Sequence, residues 1–356
     1  MMKNIYIEPK TLKKFIKNIL LKANVRSDVA EHVAEGLVQT SLRGVDSHGV
    51  RLLPHYLEGV RKGRVNPNPD YKFKKTSCST GMLNADHTFG HAACMRAAKE
   101  AVSLARRGGT GHVAVYNSTH FGAAAYYALE IAKNDMIGMS FTNTDALIRT
   151  YAGKRSFLGN NPICFAAPCE GEEPFCLDMA TSVLTFNKIR QLRGEGKRVP
   201  AGAGADRQGR ETRDPESVEM LLPVGGYKGY GLSMMVEIFC SLLSGGPYGP
   251  NIPKMFEAPM SVKRHIGHFI SAIRIDCFQD KKSFKKRLSK MMRDLRNEPS
   301  SSKRIPVQVA GDPEKRCAEE RIKSGIPLRQ ELANAFLDIG RDYGVGMLKE
   351  LLVKNA

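Results

Sequence analysis

No stretch of this 356-residue chain approaches the ~18 consecutive apolar residues that a membrane span needs. The N-terminal segment does not read as a signal peptide either. Leu12, Phe15, Ile16, Ile19 and Leu20 recur at helical spacing between lysines, which predicts an amphipathic helix and a soluble, cytoplasmic protein. The eight cysteines form no CxxC pair, and Cys240 sits in an apolar run. This argues for reduced, buried thiols over a disulfide frame or a zinc site. His87 and His91 are four apart but have no third ligand nearby, and no HExxH occurs, so no metal is expected. No G-x-G-x-x-G follows a strand, and no G-x-x-x-x-G-K-[ST] occurs. Gly202-Ala203-Gly204 falls in a stretch with no strand before it, which argues against a Rossmann unit. Acidic residues are few: 36 against 54 Lys and Arg, for a net charge of +18. The one dense basic run, Lys281 to Arg304, carries Phe284, Leu288, Met291, Met292 and Leu295 at helical spacing. It reads as a helix with one buried and one solvated face, whose charge attracts anionic small molecules, with neither nucleic acid nor membrane as a partner.

What is present describes an ordinary globular protein, 42% hydrophobic and 25% charged, long enough for about two domains. Two amphipathic helices open the chain; the second follows Ser27-Asp28 as an N-cap and buries Val29, Val33 and Leu37. Asn66–Asp70 is turn-rich and marks a domain boundary. His112–Tyr116, Ile137–Thr142 and Phe175–Asp178 read as strands, with a helix over Ala123–Lys133. Residues 193–215 read as a long loop, Leu232–Leu243 as a strongly apolar helix, and Phe269–Ile275 as a half-buried strand. From Pro299 a polar linker leads to a last helix around Leu328–Leu337. Helices at both ends suggest a mainly helical domain from 1–70 and 285–356 around an α/β domain over 71–284, an α/β (α+β) fold.

Five segments carry chemistry. In RGVDSHGV (43–50) a histidine lies between Ser47 and Gly49 directly after a helix, where a ring can face a cleft; Arg51 follows and could pair with a carboxylate. The ordinary pKa of His48, near 6.5, suits proton transfer to and from a hydroxyl. In NSTHFGA (117–123) His120 follows a strand and precedes a helix, a usual place for ligand groups. Asn143-Thr144 with the later LGNNPI (158–163), then LDMATS (177–182), follow strands. In PVGGYKGYG (223–231), Gly226 allows close backbone approach and Lys228 supplies charge for a phosphate or carboxylate. Taken alone, the Ser-His-Gly histidine reads first as structural and the glycine segment as a plain turn, while His120 fits a capping histidine as well as an acid/base one.

Together, in this order and with Gly325-Ile326-Pro327-Leu328, they resemble the type-2 malate/L-lactate dehydrogenase family, which includes ureidoglycolate, sulfolactate and diketogulonate oxidoreductases. The resemblance implies a non-Rossmann nicotinamide-binding fold with a large, predominantly antiparallel sheet, a homodimer, and a small 2-hydroxy acid or 2-oxo acid as substrate. It implies NAD or NADP as cofactor, with NAD slightly favoured. His48 and His120 match histidines with acid/base or orienting roles, with Ser47 beside them. Thr144, Asp178, Met179, Ala180, Lys228 and Gly226 match the dinucleotide site, and Asn143 lies at the mouth of the same loop. On this reading Arg51 and Asn143 bind the substrate. Two departures stand out. Many members carry an arginine four residues after the first histidine, where this chain has Leu52, with Arg51 one position earlier. The chain also has no Trp, although a Gly-Trp usually precedes the Asp-Gly turn; here Ala201–Asp206 reads AGAGAD. A catalytically lapsed homologue and, on charge alone, a nucleic-acid-binding protein are the competing classes.

Overall fold

The computed structural model describes residues 4–302 and 304–346. Strand β1 (Asn4–Ile7) leads to helices α1 (Pro9–Lys22), α2 (Ser27–Leu42) and α3 (Leu53–Arg61). Next come β2 (Lys72–Lys75), β3 (Thr80–Asn84), α4 (Gly90–Gly108), β4 (Thr110–Ser118), α5 (Ala125–Ala132) and β5 (Met136–Thr142). The short strands β6 (Ile148–Arg149) and β7 (Ser156–Leu158) precede β8 (Ile163–Ala167), β9 (Phe175–Met179) and α6 (Phe186–Gly194). Strands β10 (Gly204–Ala205) and β11 (Met220–Leu221) are followed by α7 (Tyr227–Glu237), which runs into a π-helical turn over Ile238–Leu242. The last described elements are β12 (Ile266–Arg274), α8 (Lys281–Arg296), α9 (Asp312–Ser324), β13 (Ile326–Arg329) and α10 (Gln330–Asp342).

Seven strands form one sheet in the order β2-β3-β4-β12-β5-β8-β9, and only the β3–β4 pair is parallel. This is the large, mostly antiparallel sheet expected. Its centre is β12, and here the sequence expectation of a half-buried strand fails: Ile266–Ala272 are buried without interruption. The alternation in β12 separates two cores, not core from water. Ile270 and Ala272 pack with Ala93, Ala97 and Ala128 of α4 and α5, while Phe269 packs with Phe141, Val236 and Cys240 on the α7 side.

Leu12, Phe15, Ile16, Ile19 and Leu20 are all buried, as their spacing predicts, and Phe15 stacks on Phe336 of α10 at 5.9 Å. Strand β1 pairs antiparallel with β13, so residues from both chain ends share one core with α1, α2 and α3. Four sequence expectations need correction. The N-cap of α2 is Arg26 and Ser27 is already helical; no side chain caps the helix, because Asp28 instead binds Arg26 at 2.7 and 2.9 Å. The polar stretch after Pro299 contains α9, which buries only Asp312 and Ala318 and so shows no apolar period. The long loop carries β10, paired with β11. Cys78 and Cys277 are exposed, unlike the buried Cys94, Cys164, Cys169, Cys176 and Cys240. No described helix is long and apolar enough to cross a membrane.

Candidate active site

A cleft of about 1320 Å³ brings together segments far apart in the chain, among them Ser47, His48, His120, Thr144 and Asp178. His48 ends a 3-10 turn that follows α2, and Ser47 Oγ lies 2.8 Å from its Nδ1. His120 follows β4, and its ring stacks on His48 with centroids 5.4 Å apart and planes 23° apart. On the other side Tyr56 of α3 places Oη 2.7 Å from His120 Nδ1, and the Gly122 amide reaches the same atom at 3.3 Å. Gly122 has φ 77°, and a Cβ there would lie 2.5 Å from Nε2 of the buried His91, so the turn that aims this amide requires glycine.

Enclosure strips water from both rings. His48 is lowered to about 4, by desolvation first and then by the Arg51 charge. His120 is pushed well below the ordinary range by desolvation, then by His48, His91 and Arg264. Both are therefore neutral imidazoles at pH 7, unlike the near-neutral titration expected from the residue type alone.

The opposite wall is built from the loop after β5 and the end of β9. Asn143 is buried; its Nδ2 donates to Ser241 Oγ at 2.6 Å and its Oδ1 accepts from the Gly267 amide at 2.9 Å. Its amide therefore ties the loop to β12 and the π turn, and is not left free for a substrate. The buried Glu237 extends the tie, accepting from Asn161 Nδ2 at 2.6 Å and from Ser241 Oγ at 3.1 Å. Asn161 Oδ1 in turn accepts the Thr144 amide at 3.0 Å. Asp178 Oδ2 accepts the Ala125 amide at the start of α5 at 2.7 Å, while its other oxygen has no partner among the described residues. Asp178 lines the cleft and keeps exposed surface there, and desolvation by the surrounding walls raises its carboxyl to about 6. Met179 and Ala180 flank it.

The sequence-derived basic residues lie elsewhere. Arg51 is exposed on the turn Val50–Leu52 and does not line the cleft, because Leu52 takes the inward position in the helical core. Lys228 is exposed in the first turn of α7; neither it nor Gly226, the N-cap with φ 64°, lines the cleft. The cleft arginine whose charge bears on His120 is Arg264, before β12, which is 3% exposed. Its Nη2 pairs with the buried Asp145 and its Nε donates to the Pro253 carbonyl at 2.8 Å. Nη1 has no hydrogen-bond partner among the described residues. Arg190 of α6 also lines the cleft. Neither Tyr56 nor Arg264 stands in a motif. Tyr56 lies one helix beyond His48, and Arg264 is 119 residues from Asp145, so nothing in local spacing points to them.

Comparison with known proteins agrees with this geometry. The chain is 36% identical over 341 residues to a malate dehydrogenase of Pyrococcus abyssi, covering 93% of each. It is 32% identical over 289 residues to a ureidoglycolate dehydrogenase (NAD(+)) of Escherichia coli strain K12, covering 81% of this chain and 82% of that one. The solved sulfolactate dehydrogenase of Methanocaldococcus jannaschii superposes with a TM-score of 0.91 at 29% identity, covering 97% of this chain and 99% of that one. With residues 7–336 matching the model of the malate/L-lactate dehydrogenase family, the chain belongs to that family.

Proposed function

We propose that this protein is an NAD(P)-dependent oxidoreductase that interconverts a small 2-hydroxy acid and its 2-oxo acid. The observation that carries this reading is the stacked, neutral His48–His120 pair in one cleft with Arg264 and the half-free carboxylate of Asp178. The cleft exceeds the roughly 300–1,000 Å³ usual for small-ligand sites, leaving room for a dinucleotide beside a small acid. The free Asp178 oxygen next to Met179 and Ala180 suits a ligand that is part hydroxyl-bearing and part apolar, as a nicotinamide nucleoside is. Thr144, Asp178, Met179 and Ala180 would hold it; its chemistry is hydride transfer.

The protein's own part is position, charge and a proton. Arg264, with Nη1 unclaimed, binds the substrate carboxylate, the task that the sequence suggested for Arg51. His48, with Ser47 on its Nδ1, takes the proton from the substrate hydroxyl in oxidation and returns it in reduction. NADH or NADPH oxidation is the direct test, followed with oxaloacetate, pyruvate, sulfopyruvate and related 2-oxo acids. Turnover is expected with at least one. Arg264→Ala should raise KM by about 10–100-fold, the order of a lost charge-assisted contact of about 1.5–3 kcal/mol. Dinucleotide binding without turnover across the panel would point to a lapsed homologue.

We also propose a cytoplasmic homodimer, with one unit formed by the helices of both chain ends and another by the large sheet. Met234, Ile238 and Leu242 recur every four residues along α7 and the π turn, yet are 44%, 48% and 58% exposed. A second copy of the chain would cover such a stripe. Ile238→Glu with Leu242→Glu should convert a dimer to a folded monomer in sedimentation equilibrium. A monomeric wild-type protein at micromolar concentration would contradict this.

A further inference from the structure

The two histidines are not equivalent. The Gly122 amide only donates, so its long contact of 3.3 Å to His120 Nδ1 favours an accepting nitrogen without by itself fixing one. Tyr56 Oη reaches the same atom at 2.7 Å, and its hydroxyl has no other partner among the described residues. Burial raises the Tyr56 phenol well above its ordinary range, so it keeps its proton and donates it here. With Nδ1 accepting, a neutral His120 carries its single proton on Nε2, the ring atom left for the cleft. An imidazolium would set an Nδ1–H against the Gly122 N–H, so the same geometry also disfavours the charged ring. At His48 the hydrogen-bond partner of Nδ1 among the described residues is the Ser47 hydroxyl, which can donate or accept. With Ser47 accepting from an Nδ1–H, His48 can offer an unprotonated Nε2, take a proton there and return it, the hydroxyl serving the neutral and the charged ring alike.

We propose that Tyr56 is a positioning residue that locks His120 as the Nε2–H tautomer, making it a fixed hydrogen-bond donor to the substrate's C2 oxygen while His48 carries the proton. This division of labour rests on the dehydrogenase reading above. A neutral imidazole N–H aimed at an oxo group polarises it without gaining or losing a proton in the cycle, which is a recognised use of a neutral histidine.

The test is two-dimensional long-range ¹H–¹⁵N correlation of histidine-labelled enzyme at pH 7.5, with the His120 signals assigned from their loss in His120→Gln. In the wild type, Nδ1 should resonate as an unprotonated and Nε2 as a protonated nitrogen. Tyr56→Phe should give averaged, mixed-tautomer signals. It should lower kcat roughly tenfold, the order of one lost hydrogen bond, while NADH affinity and the pH slope owed to His48 remain. A protonated Nδ1 in the wild type would overturn the proposal, as would Tyr56→Phe signals and kcat equal to wild type. The spectra are read on resting enzyme. If no 2-oxo acid is turned over while His120 is still the Nε2–H tautomer, the dehydrogenase reading fails and the positioning by Tyr56 stands.

Discussion

His48→Gln is expected to lower kcat by about 10²–10⁴-fold, the usual weight of general acid/base catalysis, with NADH binding and the circular dichroism spectrum retained. The pH profile gives a sharper signature. With His48 lowered to about 4, only a small protonated fraction exists at neutral pH. In the reduction direction the proton comes from that fraction. Wild-type kcat/KM should therefore fall about tenfold per pH unit from pH 5 to 8, and this slope should flatten in His48→Gln. His120→Gln should lower kcat as well, because the oxo group loses its donor, but should keep the slope. If His120→Gln flattens the slope and His48→Gln does not, the two roles are exchanged.

The second large effect is acid lability. His91 and His268 are 1% and 0% exposed, and desolvation lowers each to about 3. Among the described residues neither ring nitrogen of His91 has a partner, and at His268 Nε2 has none while Nδ1 meets the Thr142 hydroxyl at 2.8 Å, so a charge on either ring is poorly compensated. The folded protein thus binds fewer protons than the unfolded chain between about pH 3 and pH 6.5, and stability drops as pH falls through that window. Each histidine contributes a slope of about 1.4 kcal/mol per pH unit, so two together remove on the order of 5 kcal/mol between pH 6.5 and 4.5. That is comparable with a whole domain's stability of about 5–15 kcal/mol. Asp178 acts in the opposite sense. Its folded pKa of about 6 lies above the ordinary value, so its small, cleft-facing contribution is gained as pH falls through 6. Urea unfolding at pH 7.5, 6.5, 5.5 and 4.5 should show the loss, and His268→Gln should lower the slope by one histidine's share, about 1.4 kcal/mol per pH unit, because the lowered His48, His91 and His120 rings keep the rest. A stability independent of pH across this range would mean that the two rings find partners when charged.

Much of the site was legible because its parts are local. A histidine after a helix, another between β4 and α5, and Asp178-Met179-Ala180 at a strand end are short motifs, and all line the cleft. The basic residues of the motifs lie outside the cleft for a physical reason. Arg51 and Lys228 stand in promising motifs, but which way a side chain points depends on what its neighbours bury. Leu52 takes the inward place in the core, and Lys228 sits on an exposed first turn. The half-buried reading of β12 failed in the same way, since a period of two marks two different faces without saying what covers each.

The order of motifs along the chain, the apolar spacing of α1 and α2, and the absence of a phosphate-loop fingerprint determined by themselves the family and the mixed fold, because each is a property of neighbouring residues. Only the tertiary structure decided that His48 and His120 stack, that Tyr56 and Gly122 face one of them, and that Arg264 lines the cleft while Arg51 does not. The pKa of a ring, its tautomer and the direction of a guanidinium depend on desolvation and on partners 64 to 119 residues away. Those quantities come into being when distant segments close around one cleft and exclude water from it.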